Sequence, residues 1–232
     1  MTLFGLIRLY GRHHAIRTYL AVGAAALLAL IYHPVPWPRA ATVIVVVMVL
    51  HPLAWYVQHR FILHSRWPYK VRCLAATWKR LHYDHHQNTT MFEGMMGPLR
   101  ITLPAVTISS IAVGATIGGD WYWQGGAALA LATGMVALCY HEGMHCLLHL
   151  AFQSPWGWLQ RMKQRHNEHH YFDEAGNFGI ATYAWDRIMD SYYERGERPL
   201  RSLTIFNLGY TREEAARYPH VKDLADDKTK SD

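Results

Sequence analysis

The sequence predicts an all-α integral membrane protein with about four transmembrane helices and a helical cap on the cytoplasmic side. Three observations support this fold class. Apolar residues make up 51% of the chain and are gathered into long uncharged blocks. Lysine and arginine are distributed unevenly among the segments that connect those blocks. Histidines cluster in the segments that this uneven charge assigns to one side of the membrane.

The apolar blocks have about the length that a helix needs to cross a hydrocarbon core, roughly 20 residues at the rise of an α-helix. A soluble domain of this size could have the same apolar fraction. Its apolar residues would not, however, be expected in uninterrupted blocks, so the distribution favours a membrane protein. The blocks are residues 18–37, 40–57, 101–118 and 125–140.

The basic residues predict the orientation of these helices. Of the 23 lysines and arginines, three precede the first block, seven lie between the second and third, and twelve follow the fourth. The first outer turn contains only Arg39, and the second contains no cation. Since basic residues concentrate on the cytoplasmic side, both termini and the long middle segment are expected there. The net charge of +6 is then an orientation signal, and nucleic-acid binding is not expected.

The chain is expected to form one membrane-embedded domain over residues 1–210. Residues 211–232 are charged and poor in apolar side chains, so they are expected to form a mobile tail. The three cysteines, Cys73, Cys139 and Cys146, are odd in number, and two of them fall on the inner side. A disulfide framework is therefore not expected.

Eleven of the 16 histidines fall into four tight groups. Two groups, HYDHH at 82–86 and HNEHH at 166–170, share the spacing H-x-x-H-H. On a helix, residues three and four positions apart lie on one face, so the three imidazoles of such a group can converge. The topology places all four groups near the cytoplasmic membrane surface. The groups are His59 and His64; His82, His85 and His86; His141, His145 and His149; and His166, His169 and His170.

This clustering predicts a site for two metal ions within about residues 59–170. Imidazole suits zinc, iron, copper and nickel, and ten or so neutral ring nitrogens exceed what one ion can hold. His59 and His64 are five positions apart, which spreads them over a wider angle. They either serve different ions, or the helix loosens before Pro68. A single H-x-x-H-H near a membrane is commonly a solvated patch, but its repetition beside two further groups favours metal binding.

The remaining histidines are expected to be incidental. His51 lies inside the second apolar block and should find a polar partner there, which makes it a candidate for packing around the metal ligands. The others are His13, His14, His33 and His220.

In combination, the four groups resemble the boxes of the fatty acid hydroxylase and sterol desaturase superfamily of integral membrane di-iron enzymes. The superfamily pattern is H-x4-H, H-x2-H-H, H-x3-H and H-x2-H-H. The stretch NFGIATYAWDRIMDSYY after the last box resembles the fatty acid hydroxylase branch, and the resemblance covers about residues 50–195. The ligands that it implies are His59, His64, His82, His85, His86, His145, His149, His166, His169 and His170.

The resemblance decides between the two H-x3-H pairs in HEGMHCLLH. It implies His145 and His149 as ligands, and it leaves His141, one turn deeper, beside the ligands or lining the cavity. It also implies two iron ions, O2 as co-substrate and a membrane lipid as substrate. The lipid would be hydroxylated at an unactivated C–H position of an acyl chain or long-chain base. Zinc could occupy the same nitrogens in a purified sample.

Electrons are expected from a separate donor of the ferredoxin, cytochrome or reductase type. The reason is that the sequence contains no haem-binding or flavin-binding signature of its own.

An all-imidazole ligand set brings no negative charge to offset two metal ions. Nearby carboxylates are therefore expected to accept hydrogen bonds from the outer ring nitrogens of the ligands. For each of them, the alternative is a solvated surface acid. The candidates are Asp84, Glu142, Glu168, Asp173, Glu174 and Asp186.

Two other functions are compatible with the boxes. A sterol desaturase or oxidase, or a carotenoid hydroxylase, would share the boxes and differ in cavity shape, which the sequence does not give. A non-catalytic metal-binding membrane protein or transporter would place its ligands inside the spans, near the midplane. Here only His51 and His141 fall there, so the sequence favours the lipid hydroxylase.

Overall fold

The computed structural model describes residues 2–221, and helices are the only regular elements in that range. The predicted all-α class is therefore confirmed for the described residues. The α-helices are α1 Leu3–Arg12, α2 His14–Tyr32, α3 Trp37–Gln58, α4 Arg72–Trp78, α5 Asp84–Gln87, α6 Phe92–Met95, α7 Leu99–His149, α8 Gly157–Tyr171, α9 Ala184–Ile188 and α10 Arg212–Arg217. Two π-helical turns, His59–Leu63 and Lys79–Tyr83, and two 3₁₀ turns, Pro68–Lys70 and Arg195–Glu197, lie between them.

Three helical runs among the described residues are long and apolar enough to cross a membrane. They are His14–Tyr32, Trp37–Leu63 and Phe92–His149, with 19, 27 and 58 residues. The first two correspond to the first two predicted blocks. The third includes both remaining blocks, so the structure gives three candidate spans where the sequence predicted about four.

The third run is a hairpin rather than one straight rod. Its backbone breaks at Gly119, where φ is 63°, a conformation that glycine adopts without steric cost. A Cβ atom on Gly114 would lie 2.1 Å from the carbonyl oxygen of Gly126, and one on Gly134 would lie 2.7 Å from the hydroxyl of Ser110. Gly114 faces Gly126, and Ser110, further from the break on one side, faces Gly134, further from it on the other. The two arms are therefore antiparallel. Each arm, rather than the whole run, has about the length that a bilayer core requires.

The described residues divide into two compact units, and the expectation of one membrane-embedded domain over residues 1–210 stays a prediction. Unit 1 comprises Met1–Ala54 and Met96–Leu147, and unit 2 comprises Trp55–Met95 and Leu148–Asp232. In unit 1, α3 packs against both arms of α7 through small and β-branched side chains. These are Val43, Val47 and Ala130, with Val113, Ile117 and Leu129 beside them.

Unit 2 has an aromatic core around Trp78, which is 1% exposed. The indole Nε1–H of Trp78 donates to the carbonyl oxygen of Leu63 at 2.8 Å, so the polar end of this side chain is satisfied inside the core. The buried members of the cluster are Tyr69, Ala75, Trp78, Leu208, Tyr210 and Val221.

The first part of the predicted mobile tail is folded onto this core. The Thr211 hydroxyl caps α10 by accepting from the Glu214 backbone N–H, and the Glu214 carboxylate accepts from the hydroxyl of Tyr69 at 2.9 Å. Val221 is 1% exposed. The remainder of the predicted tail, residues 222–232, lies outside the described residues.

Candidate metal centre

A π-helical turn brings the first two histidines together. The turn His59–Leu63 continues α3, and in it the backbone N–H of His64 donates to the carbonyl oxygen of His59 at 3.1 Å. Hydrogen bonds that close over five residues place side chains five apart on the same face. The Nε2 atoms of the two rings are therefore 3.3 Å apart. Of the two alternatives that the sequence left open, the structure favours a local loosening of the helix, and both rings join one group.

The histidines of one H-x-x-H-H box do not converge on one point, and the structure corrects that expectation. A second π turn, Lys79–Tyr83, contains His82, whereas His85 and His86 lie in α5. The change in helical geometry between them sends His82 and His85 to different groups. The last box lies wholly in α8, and its histidines also separate into two groups.

The first group, called group A, consists of His59, His64, His82 and His169. Each ring offers one nitrogen, and these four nitrogens lie within 4.8 Å of one another. The Nε2 atom of His64 is 2.7 Å from Nε2 of His82 and 3.1 Å from Nε2 of His169. Separations of about 3 Å are those expected of nitrogens that lie about 2 Å from a shared ion.

The second group, called group B, includes His85, His149, His166 and His170, whose offered ring nitrogens also lie within 4.8 Å of one another. The Nε2 atoms of His149 and His166 are 2.8 Å apart, and the ring centroids of His85 and His170 are 4.7 Å apart. His145, the remaining predicted ligand, lies one helical turn before His149 on α7 and belongs to unit 1.

His86 lies between the two groups. Its ring centroid is 4.6 Å from that of His82 in group A and 4.3 Å from that of His170 in group B. Ring nitrogens of His86, His169 and His170 also lie within 4.8 Å of one another. Unit 2 therefore gathers every predicted ligand except His145 into one continuous patch.

Backbone carbonyls hold three of these rings in orientation. A carbonyl oxygen only accepts hydrogen bonds, so the Nδ1 atom that faces it must bear the proton. In the neutral ring, Nε2 then presents its lone pair towards the group. The donor–acceptor pairs are His59 with Phe178 at 2.6 Å, His169 with Gly176 at 2.7 Å, and His86 with Ile205 at 3.1 Å.

One peptide group links His59 to the buried carboxylate of Asp186. The carbonyl oxygen of Phe178 accepts from His59, and the N–H at the other end of the same peptide, that of Gly179, donates to Asp186 Oδ2 at 2.9 Å. The Phe178 N–H and the Ser191 hydroxyl donate to Oδ1 of the same carboxylate at 2.7 and 2.9 Å. Burial raises the pKa of Asp186 to about 6, although these hydrogen bonds oppose the shift. Above that pH the negative charge polarises the peptide towards His59.

Asn177 fixes the loop that presents these carbonyls. It is fully buried and has a φ of 54°, in the left-handed region that asparagine tolerates better than most residues. Its side-chain amide donates to the carbonyl oxygen of Tyr193 at 2.9 Å and accepts from the Tyr193 N–H at 3.0 Å. Its backbone N–H donates to the carbonyl oxygen of Ser191 at 2.9 Å, so the peptide that bonds His169 is also held at both ends.

The other five carboxylates proposed as partners of the ring nitrogens bond to other groups. Asp186 therefore differs from the other five, because it is connected to the predicted ligand His59 through the peptide group between Phe178 and Gly179. The partners are Lys79 for Asp84, the Gly97 N–H for Glu142, Arg165 and Gln164 for Glu168, Arg198 and the Ala175 N–H for Asp173, and Thr204 for Glu174.

His141 and His51 form a pair within unit 1. Their ring centroids are 6.1 Å apart in an edge-to-face arrangement, and His141 is 4% exposed. Neither belongs to group A or group B among the described residues.

The donor set fits metal ions. His170 is fully buried, and neither of its ring nitrogens has a hydrogen-bond partner among the described residues. A buried polar atom without a partner costs about 1–3 kcal/mol, which a metal–nitrogen bond would offset. Burial, and then the neighbouring imidazoles, lower the pKa of His64, His82 and His170 well below 6.5, so these rings are neutral at pH 7. A cation that accepts the lone pairs of several such neutral nitrogens would hold them together.

The comparison with known families agrees with this geometry. A family model described as fatty acid hydroxylase matches residues 44–191, well over half of the chain. The chain belongs to the fatty acid hydroxylase family. The matched range contains all four histidine boxes of this family member, together with the loop of Asn177 and Asp186.

Known proteins similar to this family member include animal and yeast lipid hydroxylases. It is 26% identical over 159 residues to fatty acid 2-hydroxylase of Mus musculus, an alignment covering 62% of this chain and 39% of that protein. It is 25% identical over 139 residues to ceramide very long chain fatty acid hydroxylase SCS7 of Saccharomyces cerevisiae, covering 59% of this chain and 34% of that one. This chain therefore spans less than half the length of both relatives.

The fold also matches a solved structure described as full length scs7p with only the hydroxylase domain visible. The TM-score is 0.62 at 23% identity, and the match covers 79% of this chain and 69% of that one. At this identity, the similarity concerns the fold alone.

Sequence reasoning did not find the roles of Gly176, Asn177 and Phe178, because Gly176 and Phe178 act through backbone carbonyls and the side chain of Asn177 bonds to the backbone of Tyr193. The available signal was the turn sequence GNFG, which begins six residues after the last histidine of the fourth box and indicates a loop of unusual backbone conformation.

Proposed function

We propose that this protein is a membrane oxygenase that hydroxylates an unactivated C–H position of a lipid acyl chain or long-chain base. In the balanced reaction, O2, two electrons and two protons convert C–H to C–OH and release one water molecule. Two metal ions, proposed to be iron, would supply the oxygen activation that such a bond requires. The proposed ligands are those of groups A and B with His86, and His145 from its position in the H-x3-H box.

The observation that supports this proposal most directly is the convergence of groups A and B in unit 2. Fixed neutral nitrogens in two adjacent clusters are suited to holding a pair of ions, and the similar mouse and yeast proteins are described as fatty acid hydroxylases. The alternatives within the superfamily, sterol and carotenoid oxidation, have no comparable support.

The chain's own residues would orient the ligands and exclude water. His166, His169 and His170 have no exposed surface, so bulk water does not compete for their nitrogens. The carbonyls of Gly176 and Phe178 fix the tautomer and the ring orientation of the histidines that they bond.

The same proposal places the lipid and the electron source on different sides of the metal site. The three apolar helical runs would lie in the bilayer with the substrate, and the metal site and both termini would lie on the cytoplasmic side. Electrons would come from a separate ferredoxin, cytochrome or reductase.

Lipid mass spectrometry of cells that express the protein tests the reaction. We expect a gain of one oxygen atom on an acyl chain or long-chain base, and no gain in cells that express a His170→Ala variant. A change confined to sterols or carotenoids would refute the acyl-chain assignment. A change in cellular metal content without any lipid change would refute the oxygenase.

Metal analysis of purified protein tests the ligand assignment. We expect about two ions per chain, as iron in active preparations and as zinc in some purified samples, and fewer than two in His170→Ala. His33→Ala is the matched control, because His33 is exposed and outside both groups. Full metal content in His170→Ala would contradict the assignment.

A further inference from the structure

An open cavity of about 1060 Å³ lies in unit 2 beside α8. Gln160, Gln164, Asn167 and Tyr171 line it, and their spacing of three and four residues places them on one face of the helix. His169 is nine residues from Gln160, which at about 100° per residue turns it to the opposite face. No histidine of group A or group B lines the cavity.

The cavity has an excess of positive charge. Lys163, Arg195 and Arg201 line it, and none of them forms an ion pair with a carboxylate among residues 2–221. Glu168 also lines the cavity, but its carboxylate pairs with Arg165 at 2.6 Å, and Arg165 is 7% exposed. An anion would thus meet three cations and a carboxylate that is already neutralised.

All three cations are held in place without losing their charge, and the guanidinium of Arg201 lies 5.0 Å from the centroid of the Phe206 ring. The ammonium of Lys163 donates to the carbonyl oxygens of Leu150 and Phe152 at 2.6 and 3.3 Å. The guanidinium of Arg195 lies over the ring of Phe172, 4.8 Å from its centroid. Burial lowers the pKa of Lys163, so its charged form would gain from a nearby anion. Side chains that are fixed in advance lose less entropy when a ligand binds.

Exposed apolar side chains flank Arg201 in the chain. Leu200 and Leu203, on either side of Arg201, are 80% and 97% exposed. The backbone N–H of Ser202 donates to the carbonyl oxygen of Phe172 at 2.8 Å, which ties this segment to the cavity wall. Exposed leucines beside a cation are typical of a surface at the boundary between headgroups and acyl chains. A concave site suits a small group, whereas a partner protein would usually bind a larger and flatter surface.

We propose that this cavity binds the phosphate group of an anionic membrane lipid. Lys163, Arg195 and Arg201 would contact the phosphate, and Leu200 and Leu203 would lie against the adjoining acyl chains. The same phosphate chemistry occurs in free inorganic phosphate, and the exposed leucines favour the lipid. This site is independent of the metal centre and of the proposed hydroxylation.

Native mass spectrometry of the full-length protein in detergent tests the site. Phosphatidylglycerol and the zwitterionic phosphatidylcholine are titrated separately, and bound lipid is counted. We expect selective retention of phosphatidylglycerol. In Arg195→Gln/Arg201→Gln the apparent affinity should fall at least about tenfold, since each charge-assisted contact contributes a large part of the binding. Arg72→Gln/Arg212→Gln removes the same charge from exposed positions outside the cavity and should stay within about twofold of the wild type.

A second variant tests the cavity without changing its charge. Gln153 is an exposed residue of the cavity wall, and Gln153→Trp should fill part of the space and weaken phosphatidylglycerol retention in the same way. Metal content should remain at the wild-type value in all variants, which separates failure of this site from failure of the proposed function.

Three results would overturn the lipid assignment. The first is equal retention of phosphatidylglycerol by the wild type, Arg195→Gln/Arg201→Gln and Gln153→Trp. The second is an equal loss in the Arg72→Gln/Arg212→Gln control, which would indicate general charge attraction. The third is equal retention of the two lipids together with binding of inorganic phosphate, titrated in the same way, which would indicate a phosphate site without lipid selectivity.

Discussion

Replacing Asp186 with asparagine tests whether the peptide between Phe178 and Gly179 supports one proposed metal ion. The Gly179 N–H donates to Asp186 at 2.9 Å, and the carbonyl at the other end of the peptide accepts from His59 at 2.6 Å. Asparagine has the same shape, but one of its two terminal atoms is an NH2 group, which cannot accept a hydrogen bond. At least one of the hydrogen bonds to the carboxylate is therefore lost, and a donor then faces a donor.

The expected size of the effect follows from that lost hydrogen bond. A hydrogen bond to a charged group contributes about 1.5–3 kcal/mol, which corresponds to about ten- to hundredfold in an equilibrium constant. Substituting the partners of metal-binding histidines weakens metal affinity over a similar range, about 10–100-fold. Burial raises the pKa of Asp186 to about 6, so asparagine also removes an unfavourable buried charge. Metal retention, rather than the stability of the fold, is therefore the informative measurement.

The assay is dialysis of the purified protein against increasing concentrations of a chelator, with metal per chain measured by mass spectrometry. Asp186→Asn should lose the ion of group A at about one tenth to one hundredth of the chelator concentration that the wild type requires. It should keep the ion of group B up to the wild-type concentration. Asp190→Asn changes the same charge at an exposed position and should behave as the wild type. If Asp186→Asn releases both ions at the wild-type concentration, the peptide does not support group A.

Three further predictions concern pH and stability. Burial lowers the pKa of His64 and His170 well below 6.5, so their contribution to the stability of the metal-free protein is present above pH 6.5 and is lost as the pH falls through the lowered pKa values. The melting temperature of chelated protein should therefore fall between pH 7 and 5, and a melting temperature that stays constant over this range would contradict the prediction. Gly114→Val should prevent folding, since its Cβ would lie 2.1 Å from a carbonyl oxygen of the facing arm. The control Gly11→Ala, whose Cβ would have no atom within 4 Å, should express normally. Equal expression of the two variants would refute the tight contact at Gly114. Trp78→Phe should lower the unfolding free energy by about 1–3 kcal/mol in chemical denaturation, because it leaves a backbone carbonyl beside His64 unbonded, and an unchanged midpoint would show that this hydrogen bond is unimportant.

The helical membrane architecture could be predicted because apolar composition is a local property of the chain. The blocks at residues 18–37 and 40–57 correspond to two candidate spans. The hairpin of the third span could not be predicted in detail. Its tight fit depends on which glycines of the two arms face each other, as Gly114 and Gly126 do, and that pairing is set by packing between distant residues.

The identity of the histidines could be predicted from spacing, but their division into groups could not. The two π turns change the face on which His64 and His82 lie. Even in the regular helix α8, His169 joins group A whereas His166 and His170 join group B, because the groups also depend on segments distant in the chain. A π turn is rarely stable by itself and is a common feature of functional sites. At His59 and His64 it aligns two rings that a regular helix would separate, so the departure from helical geometry is what assembles group A.

The preference for carbonyl partners has a consequence for the chemistry of the rings. A carboxylate bonded directly to Nδ1 can draw the proton away from an imidazole, whereas a carbonyl cannot accept that proton. The carbonyls of Phe178 and Gly176 accept from the Nδ1–H groups of His59 and His169, so they fix the tautomer of these rings and leave Nε2 as the ligand atom. The charge of Asp186 reaches His59 only as polarisation of a peptide, which strengthens the hydrogen bond without moving the proton. Neutral ligands would leave the positive charge of the proposed ions largely uncompensated, and this arrangement would favour their reduced state.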